Sequence, residues 1–419
     1  MRFYSPDHMD LVDPAYDFVR ETASVPGADQ RRRCYAHEIL DRPPYHGVVL
    51  SRHTTGRSKS DRYTESQAVR LLRQGAHRFL RLEGHAPRLD VLGDSGAYGR
   101  TFSPQDARDV RDEAADLVRF YDAVGVDLGL APDNVVVGFA PGRPTSRRSG
   151  PPQEWVERAA RTLDLAEIFL EVWRQRPRRW APLGVAQGWD APSYADSVGR
   201  LQEIGYEYVA LGGLARLHDA DLLDCLSGAN RARRASTAFH LLGVARPSLA
   251  LSFAAHGVVS FDSTTPMRQA TRDDEHNYHT PTGGYLAIRL PITNASPRMK
   301  RLHRAGQLDV EAARRAEAAS LDVLRRFDGG EASAPDVLSV LQEGARVRGE
   351  PFPDEPYRQL LADCPWRQCA CTVCRSVGIE VVLHRDGERN VRRGFHNLHV
   401  LAHRLRTDFP DAWPHPIDP

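Results

Sequence analysis

The stretch from Phe239 to Ala270 restricts the fold more than any other part of the chain. It opens with an apolar run, Phe239-His-Leu-Leu-Gly243, short enough for a buried strand and closed by a glycine. Pro247 and Gly257 bracket the next segment, and these residues suit the start and stop of a short helix. A second apolar run, Val258-Val-Ser-Phe, ends in an acid, Asp262. Strand, helix, strand at this spacing is a βαβ unit, and such units build parallel sheets. An acid at the carboxyl end of a parallel strand faces the side where ligands bind. An aspartate also caps helices, so Asp262 taken alone carries both readings.

The alternation recurs along the chain. His46 to Ser51 reads as the first strand, after a polar and irregular amino terminus up to Arg42. Leu89 to Asp94 is a strand followed by the small-residue turn Ser95-Gly-Ala-Tyr98. Ser103 to Gly125 then has an N-cap, a proline at the first helical position and a glycine stop. Val126 to Asp133 reads as a strand, Gln153 to Arg174 as a long helix, and Pro182 to Gly188 as a strand ending in Gln187-Gly188. A helix from Pro192-Ser193 to Gly205 leads to another strand and the turn Gly212-Gly-Leu-Ala215. Strands and helices in this order predict an α/β fold, a single (β/α)8 TIM-type barrel across residues 1–419. The charged helices Leu308–Phe327 and Ala334–Val347 fall outside the repeat. With the cysteines that follow they predict an inserted helical and zinc-binding subdomain over 296–396.

Those cysteines are Cys369, Cys371 and Cys374, spaced C-x-C-x2-C. That spacing lets three sulfurs surround one tetrahedral ion, with a histidine as fourth ligand. His396, His399 and Cys364 compete for the fourth place. The alternative is a reduced cluster without metal. A closed Cys3His set leaves no open position, so a zinc ion there is structural.

Charge narrows the partners only a little. The net charge of +1 excludes a uniformly basic chain, and Lys59 and Lys300 are the only lysines among many arginines. No apolar run spans a bilayer and no signal peptide opens the chain, so the expectation is a cytoplasmic protein without a membrane partner.

Taken in order, Asp94-Ser-Gly, Gln187-Gly, Gly212-Gly-Leu-Ala, Leu241-Leu-Gly-Val and Phe261-Asp-x3-Pro-x-Arg268, followed by the cysteines, resemble the tRNA-guanine transglycosylases. The resemblance implies that Asp262 is the nucleophile that attacks C1′ of the target nucleoside. It implies that Asp94 contacts the base and serves as general acid/base. Ser95 and Tyr98 line the base pocket, Tyr98 standing where the family stacks an aromatic. Asp133 matches the acid that binds the guanine edge, with Asp127 as its rival. Gln187 reads the base, the backbone at Gly213, Leu214 and Ala215 meets it, and Arg268 matches a family arginine. His396 matches the zinc histidine. Departures are Ala97 and Gly99 after the aspartate, Trp189 after Gln-Gly, and Arg216-Leu217-His218 where the family carries Val-Gly-Glu.

The missing glutamate fits a neutral, nitrile-bearing base. Tyr4-x-Pro-Asp, Asp10-Leu-Val-Asp-Pro and Arg78-Phe-Leu-Arg-Leu resemble the DpdA-type branch, which replaces guanine in DNA with 7-cyano-7-deazaguanine (preQ0). The implied partners are DNA, a free 7-deazaguanine base, a second copy of the chain and accessory DNA-modification proteins. The alternatives are a transglycosylase acting on tRNA, and a scaffold that binds nucleic acid and zinc without chemistry. The implied reaction is a double displacement at an anomeric carbon, from which water must be excluded and for which the base leaves its stack.

Overall fold

A computed structural model describes residues 1–24, 30–55, 63–97, 110–140 and 150–410. Eight parallel strands form a closed barrel. They are β1 Arg2–Pro6, β2 Gly47–Ser51, β3 Asp90–Asp94, β4 Leu128–Leu130, β5 Ala181–Ala186, β6 Tyr208–Leu211, β7 Ala238–Leu241 and β8 Val258–Asp262. Each strand pairs with the next, and β1 pairs with β8 in the register Tyr4↔Asp262, which closes the ring. The (β/α)8 barrel expected from the sequence is therefore the fold.

The first strand is Arg2–Pro6, one earlier than the sequence reading placed it. Arg2-Phe-Tyr-Ser-Pro has no apolar run to announce it. Phe3 and Tyr4, on its two faces, are nonetheless completely buried. Phe3 packs on Phe261 at 5.2 Å between ring centroids. Tyr4 points the other way, into a cluster with Val49, Leu92, Leu130, Leu183, Val185 and Ala210. Each large side chain removed from water there contributes about 1.5–3 kcal/mol.

Helices cover the strands through close backbone approach. Tyr121, from the helix Val110–Val124, lies against β3 and β4 and donates to the carbonyl of Leu130 at 3.0 Å. A Cβ on Gly93 would sit 2.4 Å from that ring, and one on Gly129 2.8 Å from it. Glycine is needed in both strands for the ring to fit. The helix Ala191–Ile204 starts at Asp190, which accepts from the amide of Ser193 at 2.9 Å, and stops at Gly205 with φ 113°. These are the sequence signals of a capping box and a left-handed stop.

Residues 1–9, 45–264 and 405–419 make one compact unit, and 10–44 with 265–404 make a second. The second holds the helices Val310–Asp328, Ala334–Arg348 and Asp354–Asp363. It also holds a hairpin of Tyr278–Thr280 with Gly283–Tyr285. Residues 296–396 lie within this unit. The apolar run Ile379–His384 is mostly a 3-10 turn, Gly378–Val382, followed by the two-residue strand Leu383–His384. Buried arginines tie its parts together. Arg389 is fully buried and pairs with Glu380 at 2.7 Å and Glu21 at 3.0 Å, while Arg385 reaches Glu21 and Glu317 at 2.5 Å. A buried guanidinium is tolerated only with such partners. Among the described residues no helix is long and apolar enough to cross a membrane.

Candidate active site and metal centre

Asp262 ends β8, at the carboxyl rim of the barrel. Side chains alternate along a strand, so Ser260 and Asp262 share one face of β8. That face meets β7, where His240 pairs in register with Ser260. The carboxylate oxygen Oδ1 of Asp262 accepts from the amide of Gly243 at 3.0 Å and lies 3.2 Å from Nε2 of His240. Gly243 reaches it by turning sharply after β7, with φ 72°. Oδ2 accepts nothing from the described residues. Behind His240, its Nδ1 lies 2.6 Å from the hydroxyl of Ser260, which also touches the hydroxyl of Tyr208 on β6. His240 and Ser260 are fully buried.

A second polar group forms on the other side of the ring, where β3, β4, β5 and β6 end. Asp94 closes β3 and accepts from the amide of Gly96 at 3.1 Å. Ser95 donates to Oδ1 of Asp133 at 3.2 Å, and the amide nitrogen of Gln187 donates to Oδ2 at 2.8 Å. The orientation of Gln187 is fixed from behind, because its Oε1 accepts from the amide of Val136 at 3.1 Å. All three side chains are buried. The turn after β6 closes over them. A Cβ on Gly212 would lie 2.3 Å from Nε2 of Gln187, and one on Gly213 2.8 Å from the carbonyl of Val136. Gly213 has φ 79°, which an L side chain rarely adopts. Tyr194 holds this turn by donating to the carbonyl of Gly212 at 2.6 Å. Leu214 follows, fully buried.

Ser95, Asp133, Gln187 and Gly213 are thus gathered into one cluster, while Asp94 and Asp262 end strands of the same ring. Asp127, the rival of Asp133, precedes β4 at the opposite end of the barrel and is held there by Arg88 at 2.5 Å and His77 at 2.9 Å. Arg268 is exposed on the helix Thr265–Arg272. Tyr98 lies outside the described residues. Sequence reasoning did not single out His240, Ser260 or Tyr208. Their signal was present as polar residues on inward positions of otherwise apolar strands.

In the second unit Cys369, Cys371, Cys374 and His396 offer ligand atoms that all lie within 4.8 Å of one another. Nδ1 of His396 is 3.5, 3.6 and 3.3 Å from the three sulfurs in order. Bonds of ~2.3 Å to sulfur and ~2.0 Å to nitrogen at tetrahedral angles separate those atoms by about 3.5 Å, so the set fits a zinc-sized ion. Nε2 of His396 is 2.8 Å from the carbonyl of His279. It must carry the hydrogen, which leaves the lone pair of Nδ1 facing the sulfurs. The Tyr278 ring stacks on His396 at 4.0 Å, and its hydroxyl lies 3.3 Å from the sulfur of Cys374. Burial pushes that hydroxyl well above its ordinary range, so it remains a donor to the sulfur. Cys364 is turned away, toward the carbonyl of Leu361 at 3.0 Å, and His399 is not in the group.

The profile of the family described as queuine tRNA-ribosyltransferase matches residues 62–317. A protein of Salmonella montevideo described as a DNA-guanine transglycosylase is 36% identical over 417 residues, covering 97% of each chain.

Proposed function

The chain belongs to the queuine tRNA-ribosyltransferase family and is a guanine transglycosylase, and from that premise we propose that it replaces guanine in DNA with a 7-deazaguanine, preferably preQ0. One observation carries the chemical reading. Asp262 stands at the rim with one oxygen held by two donors and the other without a partner among the described residues. A carboxylate arranged in this way has a lone pair left over and a fixed orientation, as a nucleophile needs.

In the proposed reaction Oδ2 of Asp262 bonds to C1′ of the target nucleoside as the bond from C1′ to N9 breaks, and the electron pair leaves on guanine. Asp94 gives the departing base its proton. The incoming base returns that proton to Asp94 as its N9 bonds to C1′, and the ester pair goes back to the carboxylate. Preorganised partners make each displacement faster than in water. Asp133, Gln187, Ser95 and the backbone at Gly213 and Leu214 read the base edge. Tyr98 stacks on the base and Arg268 meets the nucleic acid.

Residues 296–396 act as the inserted helical and zinc subdomain of one transglycosylase chain. Cys369, Cys371, Cys374 and His396 would hold a zinc ion there, which braces the chain and supplies nothing to the exchange.

The Salmonella montevideo relative supports DNA as the polymer, and the family description keeps tRNA as the second reading. Incubation of the purified chain with labelled guanine and either duplex DNA or tRNA separates them. Label is expected in the duplex. Equal or greater label in tRNA alone would overturn the choice of DNA.

A further inference from the structure

We infer that His240 is the positioning residue that decides which oxygen of Asp262 attacks, through a one-way chain of hydrogen bonds across the barrel interior. The inference rests on the base-exchange reading and deepens it.

The direction of the chain follows from donor and acceptor chemistry. An ionised carboxylate offers only lone pairs, so Nε2 of His240, 3.2 Å away, must carry the hydrogen. A neutral imidazole then presents a lone pair at Nδ1. Ser260, at 2.6 Å, has to donate to it. Its own oxygen is left to accept from Tyr208. Burial pushes the Tyr208 hydroxyl up to about 12, so its proton is present to give. Every member therefore has one orientation. The ring cannot rotate away, because Tyr4 and Tyr208 flank it edge-on at 6.0 and 6.5 Å between centroids.

The consequence is an asymmetric carboxylate. Gly243 and His240 both hold Oδ1, and no described residue donates to Oδ2. When Oδ2 bonds to C1′, Oδ1 becomes the carbonyl oxygen of the ester and keeps both donors. When the second base attacks C1′, the ester bond breaks and its electron pair spreads over the two oxygens. The same two donors then stabilise the departing carboxylate, in the manner of an oxyanion hole. His240 touches neither base nor sugar in this account.

The test traps the protein–nucleic acid adduct on a guanine-containing duplex, with tRNA in parallel, and measures steady-state exchange alongside. His240→Phe keeps the ring volume and removes the donor. It is expected to lower kcat by on the order of a hundredfold, with KM for the free base unchanged. His240→Gln restores an N–H near the place of Nε2 and is expected to recover most of that loss. Ser260→Ala leaves the imidazole but frees its tautomer, and should fall between the two. A histidine that only fills the core predicts otherwise: both replacements at 240 would shift Tm and leave kcat per folded molecule alike. That result, or a Phe variant as fast as wild type, overturns the role. A wild-type chain that forms no adduct on either polymer overturns the base-exchange reading and this inference together.

Discussion

Asp133 and Asp262 are both nearly buried aspartates at the same rim of one barrel. Asp133 has each oxygen engaged by a different side chain, Ser95 on Oδ1 and Gln187 on Oδ2. Asp262 has two donors crowded on Oδ1 and, among the described residues, none on Oδ2. Burial costs a carboxylate its hydration, and hydrogen bonds offset that cost. Asp133 is satisfied on both sides, which suits the fixed template proposed for it. Asp262 is satisfied on one oxygen only among the described residues, which suits the nucleophile proposed for it. On that reading the difference separates a group that recognises from a group that reacts, and substitutions at the two positions should separate accordingly.

The largest effect is expected at the half-satisfied acid. Asp262→Asn keeps the shape but replaces a charged oxygen with an amide that is a poor nucleophile. Exchange should fall by roughly 10⁴-fold or more, and no covalent adduct should be trapped. Adduct formation at wild-type rate in this variant would remove Asp262 from the chemistry and end the contrast.

An intermediate effect is expected at the satisfied acid. Asp133→Asn places an NH2 opposite either Ser95 or Gln187. Ser95 can rotate its hydroxyl, but Gln187 cannot turn its amide without losing the amide of Val136 at 3.1 Å. The loss of one charge-assisted hydrogen bond costs about 1.5–3 kcal/mol, or roughly ten- to a hundredfold in kcat/KM. The loss should appear in KM for the free base, with the adduct still trapped at saturating nucleic acid. An Asp133→Asn chain that fails to form the adduct at all would show that the two acids are not divided in this way.

How far the sequence revealed this arrangement depends on range. That Asp262 and Asp94 end strands and Gln187 follows one was legible from local periodicity and a following glycine or small-residue turn, whereas the roles proposed for them came from the family resemblance. Cys369, Cys371 and Cys374 were legible because their spacing is itself the geometry. β1 was not, since five residues with Tyr4, Ser5 and Pro6 among them carry no apolar pattern, and only the closing of the ring buries them. The choice of Asp133 over Asp127 needed the knowledge of which end of β4 each occupies. His240 stood in plain view within an apolar strand, but Tyr208, Ser260 and Asp262 come from two other strands, β6 and β8. Periodicity tells which face a side chain takes, and it is silent on what waits across the ring.

The smallest effect on chemistry is expected at a closed group in the second unit, the Cys3His cluster. There every donor atom points inward, and even the far nitrogen of His396 is taken by the carbonyl of His279. By the same reasoning that divides the two aspartates, a closed set has nothing left with which to react. Cys374→Ser, or exposure to a strong chelator, should therefore lower zinc content and reduce Tm by roughly 5 °C or more, because ligand binding there is folding energy. Exchange per folded molecule should stay within about twofold of wild type, since the donors on Asp262 are Gly243 and His240, both on the barrel itself. Calorimetry, metal analysis and exchange on one preparation would check all three quantities. A serine variant that keeps its Tm but loses exchange would mean that the cluster takes part in the reaction, and a closed hydrogen-bond set could no longer be read as a sign of a purely structural role.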